Sequence, residues 1–96
     1  MLTFLARMKV KPEKEQEFIR LARELTREVH EKEPQTTGYE FFKLRDQALG
    51  YAVYEQFVSE AAEEAHLNTP HFKRIAPGLI ECLDGTYVRE YLDPLA

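Results

Sequence analysis

Tyr51-Ala52-Val53-Tyr54-Glu55-Gln56-Phe57, then Ser59-Glu60-Ala61-Ala62-Glu63-Glu64-Ala65-His66, then Asn68-Thr69-Pro70-His71-Phe72, is the stretch on which the fold turns. The first part is rich in aromatic and apolar residues over strand length and reads as a buried strand. Ser59 is a good N-cap, with Glu60 and Glu63 in the first turn behind it, so a helix runs to about Leu67. Thr69-Pro70 is a second cap and first-residue pair, which opens another helix from Pro70 toward Cys82. Pro77-Gly78 is the point where that helix is expected to break or kink.

Upstream, Tyr39 to Arg45 reads as a strand, and residues 46–50 as the short connection to the strand at 51–58. Two runs joined this tightly make an antiparallel hairpin. With residues 46–49 as the loop, Leu44 faces Tyr51, Phe42 faces Val53 and Glu40 faces Glu55. A slip of one residue would invert every one of these faces. In that register the two carboxyls are neighbours, and one of them should titrate high. Gln35-Thr36-Thr37-Gly38 reads as a turn.

Residues 2–10 alternate, with Leu2, Phe4, Ala6, Met8 and Val10 on one side, which is a strand with one core face. Pro12 stands where a helix begins, and Phe18, Leu21, Ala22, Leu25 and Val29 follow at helical spacing to about Lys32. Pro34 marks the end. At the other end of the chain, Asp84-Gly85 is a turn and Thr86 to Leu92 a last strand. Strand, helix, strand, strand, helical pair, strand is an α+β order, the ferredoxin-like βαββαβ arrangement. It predicts a four-stranded antiparallel sheet with its helices on one face. The other face then carries Leu5, Phe41, Ala52, Tyr54 and Val58, too apolar a set to leave in water. A second copy packing sheet to sheet, as an isologous homodimer, would cover it.

The 96 residues are expected to form one domain, 1–96. A net charge of −4 argues against nucleic acid, which calls for a clustered basic face. No apolar run approaches the ~20 residues of a membrane helix, and the N-terminal run is too short for a signal peptide. Cys82 is alone, which points to a reducing, cytoplasmic setting. There is no zinc spacing, P-loop or GxGxxG, so neither a metal nor a nucleotide cofactor is expected.

Tyr54-Glu55-Gln56-Phe57 and Glu64-Ala65-His66-Leu67-Asn68-Thr69-Pro70-His71-Phe72-Lys73, together with Gly38-Tyr39-Glu40-Phe41-Phe42, carry a resemblance. Over nearly its whole length the chain resembles the antibiotic biosynthesis monooxygenase superfamily of dimeric α+β barrels. Small quinol monooxygenases and the enzyme that processes phosphorylated autoinducer-2 have similar segments. The resemblance implies a homodimer with a pocket in each subunit, between sheet and helices. It implies oxidation of quinols or polyketide aromatics by molecular oxygen, with neither metal nor flavin as cofactor. Other members degrade haem or isomerise a small sugar-like signal. Several members have tryptophan where this chain has Phe57, and the chain has no tryptophan. The Asn-Trp-His set of the haem-degrading branch is not reproduced, with Arg7 at the asparagine position, so haem breakdown is not expected.

His66 is the first candidate for catalysis. A neutral imidazole could take the proton of a phenol or enol, which creates the electron-rich anion that oxygen attacks. It also reads as a structural histidine bonded to a backbone carbonyl or to Glu55. Glu55 lies in an otherwise apolar strand and needs a partner if buried, with His66 and Arg89 the candidates. It would orient the histidine, or serve as a structural ion pair. Tyr51, Val53, Phe57 and Phe42, with Leu44, are candidate walls for a small aromatic or quinol-like ligand, and equally read as core. His71 sits in a helix's first turn, where the dipole disfavours a cation. It reads as a residue of the pocket mouth or as plainly exposed. Cys82 reads as small and buried, and Tyr87 and Tyr91 as subunit contacts. Three functions follow: a cofactor-independent monooxygenase-like enzyme, an isomerase of a small oxygenated metabolite using His66 as proton shuttle, or a non-catalytic ligand-binding barrel.

Overall fold

The computed structural model describes residues 1–96. The elements are β1 (Leu2–Lys9), a 3-10 turn (Pro12–Lys14), α1 (Glu15–Lys32), β2 (Thr36–Lys43), β3 (Gly50–Phe57), α2 (Glu60–Leu67), α3 (Pro70–Glu81) and β4 (Val88–Tyr91). The sheet is antiparallel with strand order β2-β3-β1-β4. This is the expected ferredoxin-like α+β fold.

Local chemistry sets each element. Pro12 opens the 3-10 turn, and α1 buries Phe18, Ala22, Leu25 and Val29 along one stripe. Full burial of side chains such as Phe18 and Leu25 stabilises by roughly 2 kcal/mol each. The Ser59 hydroxyl accepts from the Ala62 N–H at 3.1 Å, and the Thr69 hydroxyl from the Phe72 N–H at 3.2 Å. Pro77 lies inside α3 without ending it. The fourth strand is shorter than expected. Gly85 takes φ +94° and Val10 pairs with Leu83, so the chain is still turning where Thr86 and Tyr87 were expected to pair.

The hairpin differs from expectation by one residue. Tyr39 pairs with Glu55, Phe41 with Val53, Phe42 with Ala52 and Lys43 with Tyr51. Leu49 adopts φ +62°, and the Leu44 N–H donates to the Gly50 carbonyl. The turn thus takes in Arg45, and every β2 face inverts. Glu40 pairs with Tyr54 rather than Glu55. Thr36 to Gly38 belong to β2, with a bulge between Thr36 and Gly38. A Cβ at Gly38 would lie 2.8 Å from the Tyr54 ring, so the close approach requires glycine there.

Phe4, Ala6, Tyr39, Tyr51, Val53 and Phe57 form the core with the apolar faces of the helices. The opposite sheet face carries Leu5, Ala52 and Tyr54. It also carries Phe42 and Val88, which are 53% and 63% exposed. Phe41 belongs to the core side, so Phe42 replaces it in the expected uncovered set. No helix of the chain is long and apolar enough to cross a membrane.

Candidate functional site

Alternation along β3 sends Tyr51, Val53, Glu55 and Phe57 toward the helices. α2 answers with Ala62 and His66, four residues apart on its buried face. The His66 ring is 2% exposed. It lies among Tyr39 and Phe57, each at 5.3 Å between ring centres, and Phe72 at 4.8 Å.

Its nitrogens meet two carboxylates. Nδ1 is 2.8 Å from Oε1 of Glu33, at the C-terminal end of α1. Nε2 is 3.9 Å from Oε1 of Glu55, too far for a hydrogen bond. The other oxygen of Glu33 takes His71 Nε2 at 2.5 Å, and Thr36 donates to Glu33 at 2.7 Å. Burial pushes the Glu33 carboxyl up, but the bonds from His66, His71 and Thr36 outweigh it. The net shift is below the ordinary value. Glu55 goes the other way. Burial is the largest cause, with the Glu63 and Glu33 charges adding to it and His66 and Arg89 opposing. Its carboxyl is pushed up to about 7. Tyr39, opposite Glu55, is pushed well above the ordinary phenol value by burial and by the Glu55 and Glu33 charges.

His66 and Glu55 line a hollow of about 110 Å³ between sheet and helices. Fourteen of its 17 lining residues are hydrophobic, so the acid–base pair is the polar end of an apolar chamber. Arg89 also lines it, with its guanidinium 2.9 Å from Glu63 and 4.0 Å above the Phe4 ring. No group of three or more His, Cys, Asp or Glu is arranged to hold a metal ion. One nitrogen of each of the two buried imidazoles, His66 and His71, is bonded to Glu33.

Of the residues singled out in the sequence, His66, Glu55 and Val53 meet at this hollow. Phe57 does not line it and packs behind the imidazole. Tyr51 points away, because its hydroxyl donates to Glu15 at 2.7 Å; burial and that carboxylate push the phenol up to about 12. Phe42 sits on the far side of the sheet because of the register shift. Tyr51 and Phe42 instead line a surface groove against Arg23 and Arg27 of α1. His71 is neither exposed nor at the mouth: it is 5% exposed, held behind Glu33. Arg89 bonds Glu63, not Glu55, and Glu55 titrates high through burial rather than through Glu40.

Sequence reasoning missed Glu33, Tyr39, Phe41 and Tyr87. Tyr39 and Phe41 were hidden by the register, and Tyr87 lines the hollow rather than only offering a subunit contact. Glu33 did carry a signal. An acid at a helix C-terminus opposes the dipole and asks for a compensating donor.

Comparison with known proteins points one way. The family model for antibiotic biosynthesis monooxygenase matches residues 1–78. A Caulobacter crescentus CB15 structure, proposed to be an antibiotic biosynthesis monooxygenase, is 28% identical with TM-score 0.91, covering 99% of this chain and 90% of that one. A conserved protein from Methanosarcina mazei Go1 is 31% identical with TM-score 0.87, covering 95% and 89%. A further crystal structure of an antibiotic biosynthesis monooxygenase is 25% identical with TM-score 0.89, covering 100% of both chains. Among curated proteins, none matches.

Proposed function

The chain belongs to the antibiotic biosynthesis monooxygenase family, and we propose that it is a cofactor-independent monooxygenase of a small quinol or phenol. The observation that carries this reading is the buried imidazole with one nitrogen tied to Glu33 and the other at an apolar hollow. An Nδ1–H donating to Glu33 leaves the lone pair on Nε2, where a substrate hydroxyl would sit. His66 takes the phenolic proton. The phenolate gives one electron to oxygen, and the radical pair joins as a carbon-bound peroxide. The peroxide regains the proton from His66, and loss of water leaves a quinone carbonyl. The substrate supplies the electrons, so the scheme calls on no cofactor.

Glu55 supports the same scheme. A carboxyl that titrates at about 7 is partly protonated at neutral pH and can donate to a developing oxyanion. The hollow of about 110 Å³ is smaller than a 150 Å³ cavity known to take benzene, so one ring is the upper limit and the chamber must widen to admit a hydroquinone. Val53 and Phe41 would be its walls. The working unit of the proposal is a homodimer closed over the face that bears Phe42 and Val88.

Oxygen uptake with one-ring hydroquinones, without added metal or flavin, tests the reading. Uptake should follow the enzyme and fall by about 100-fold or more in His66→Gln. A folded protein inert to the whole panel would overturn it. A second reading rests on His66 and Glu55 facing the same chamber. A base and a protonated acid on one chamber can also move a proton between two carbons of a small oxygenated metabolite. Solvent deuterium entering such a compound without oxygen uptake would favour that isomerase.

A further inference from the structure

Glu33 is bonded to two buried imidazoles at once, through Oε1 to His66 Nδ1 and through Oε2 to His71 Nε2. We propose that Glu33 is the positioning residue of this site, and that His71 aims its carboxylate at His66. A carboxylate only accepts, so both nitrogens facing it must carry protons. His66 is thereby fixed as the Nδ1–H tautomer and His71 as the Nε2–H tautomer. Only the first of these leaves a lone pair at the hollow.

The two histidines are not equivalent partners. His66 is in the last turn of α2, at the negative end of that helix's dipole. His71 is in the first turn of α3, at the positive end. The end of α2 therefore favours a positive charge beside it and the start of α3 disfavours one, with Glu33 the carboxylate between the two rings. His71 bonds Oε2, Thr36 adds a donor to Oε1, and together they fix the plane of the carboxylate. Glu33 itself sits where an α1 residue would favour a cation, and its two imidazole partners lie 33 and 38 residues away in sequence. That placement costs helix stability and is offset by its three donors, His66, His71 and Thr36.

The role assigned to Glu33 rests on the proposed use of His66 as base, but its test needs no substrate. Ring-nitrogen NMR of the protein labelled in its histidines should show His66 protonated on Nδ1 and His71 on Nε2 at neutral pH. In Glu33→Gln the amide presents one acceptor and one N–H donor. One of the two imidazoles must then lose its bond or change tautomer, so the wild-type pair of an Nδ1–H His66 and an Nε2–H His71 should be lost. His71→Gln keeps a donor to Glu33 and should leave His66 as it was. A wild-type His66 carrying its proton on Nε2 overturns the proposal without any variant, as do unchanged tautomers at both His66 and His71 in Glu33→Gln. If the tautomers behave as stated while no quinol is oxidised, the positioning role stands and the oxygenase reading falls.

Discussion

Glu33 and His66 are joined by a 2.8 Å bond across 33 residues of sequence, from the end of one helix to the last turn of another. The Glu33 side chain is 7% exposed, so this is an interior contact. Its carboxyl lies below the ordinary value because three donors outweigh its burial. A lowered folded-state value means the native protein binds that proton less tightly than the unfolded chain does. The stability it contributes is present above the unfolded carboxyl range, near pH 4.3, and is lost as pH falls below it. Glu33→Gln should be less stable at pH 7 by about 2 kcal/mol, the scale of one lost charge-assisted bond. It should also show a shallower loss on acidification than wild type. Urea unfolding at pH 7 and pH 3.5 reads both.

Glu55 predicts the opposite limb. Its folded value, about 7, lies above the ordinary 4.5. The native state therefore holds this proton more tightly. The corresponding stability is full below pH 4.5 and is lost as pH rises through 7. That difference corresponds to about 3 kcal/mol at most. Glu55→Gln stays neutral at every pH, so its stability relative to wild type should improve steadily from pH 5 to pH 8. Thermal unfolding across that range checks the slope. A constant difference between the two proteins would show that Glu55 titrates normally.

The fold was legible because its signals are local. Alternation over residues 2–10, the Phe18 to Val29 stripe, the Ser59 and Thr69 caps and the hairpin each depend on a few neighbouring residues. The register was not, because it depends on Leu49 taking a left-handed backbone, which a leucine rarely does. That one conformation exchanged the faces of Phe41 and Phe42. It sent an expected pocket residue outside and kept Tyr39 and Phe41 out of view. The site was half legible. His66 and Glu55 stand out as polar groups at apolar positions, whereas Glu33 and His71 look like ordinary surface residues until the helices bring them together.

Phe42 gives the test of the uncovered face. It is 53% exposed in the single chain, beside Ala52 and across the sheet from Val88. A charge buried at the centre of an apolar contact carries a desolvation cost of several kcal/mol. Phe42→Glu should therefore convert a dimer to a monomer at micromolar concentration, read by sedimentation velocity. Secondary structure should be kept, because the ring is more than half exposed in the single chain. A wild-type protein that sediments as a monomer removes the two-copy reading.

Ala76→Phe separates the chamber from the groove. Ala76 is a half-buried residue of α3 that lines the hollow with His66 and Glu55. A phenyl group there occupies the space of a one-ring ligand. The overpacking should cost about 1–3 kcal/mol of stability. In wild type, a hydroquinone at 100 times its dissociation constant should stabilise the fold by about 2.7 kcal/mol. The variant should lose nearly all of that ligand-dependent gain, and oxygen uptake with it, while its His66 tautomer is unchanged. Tyr51, Phe42, Arg23 and Arg27 line the other hollow, which the substitution leaves intact. A hydroquinone shift that survives in Ala76→Phe therefore moves the ligand out of the chamber, and with it goes the case for His66 as the base.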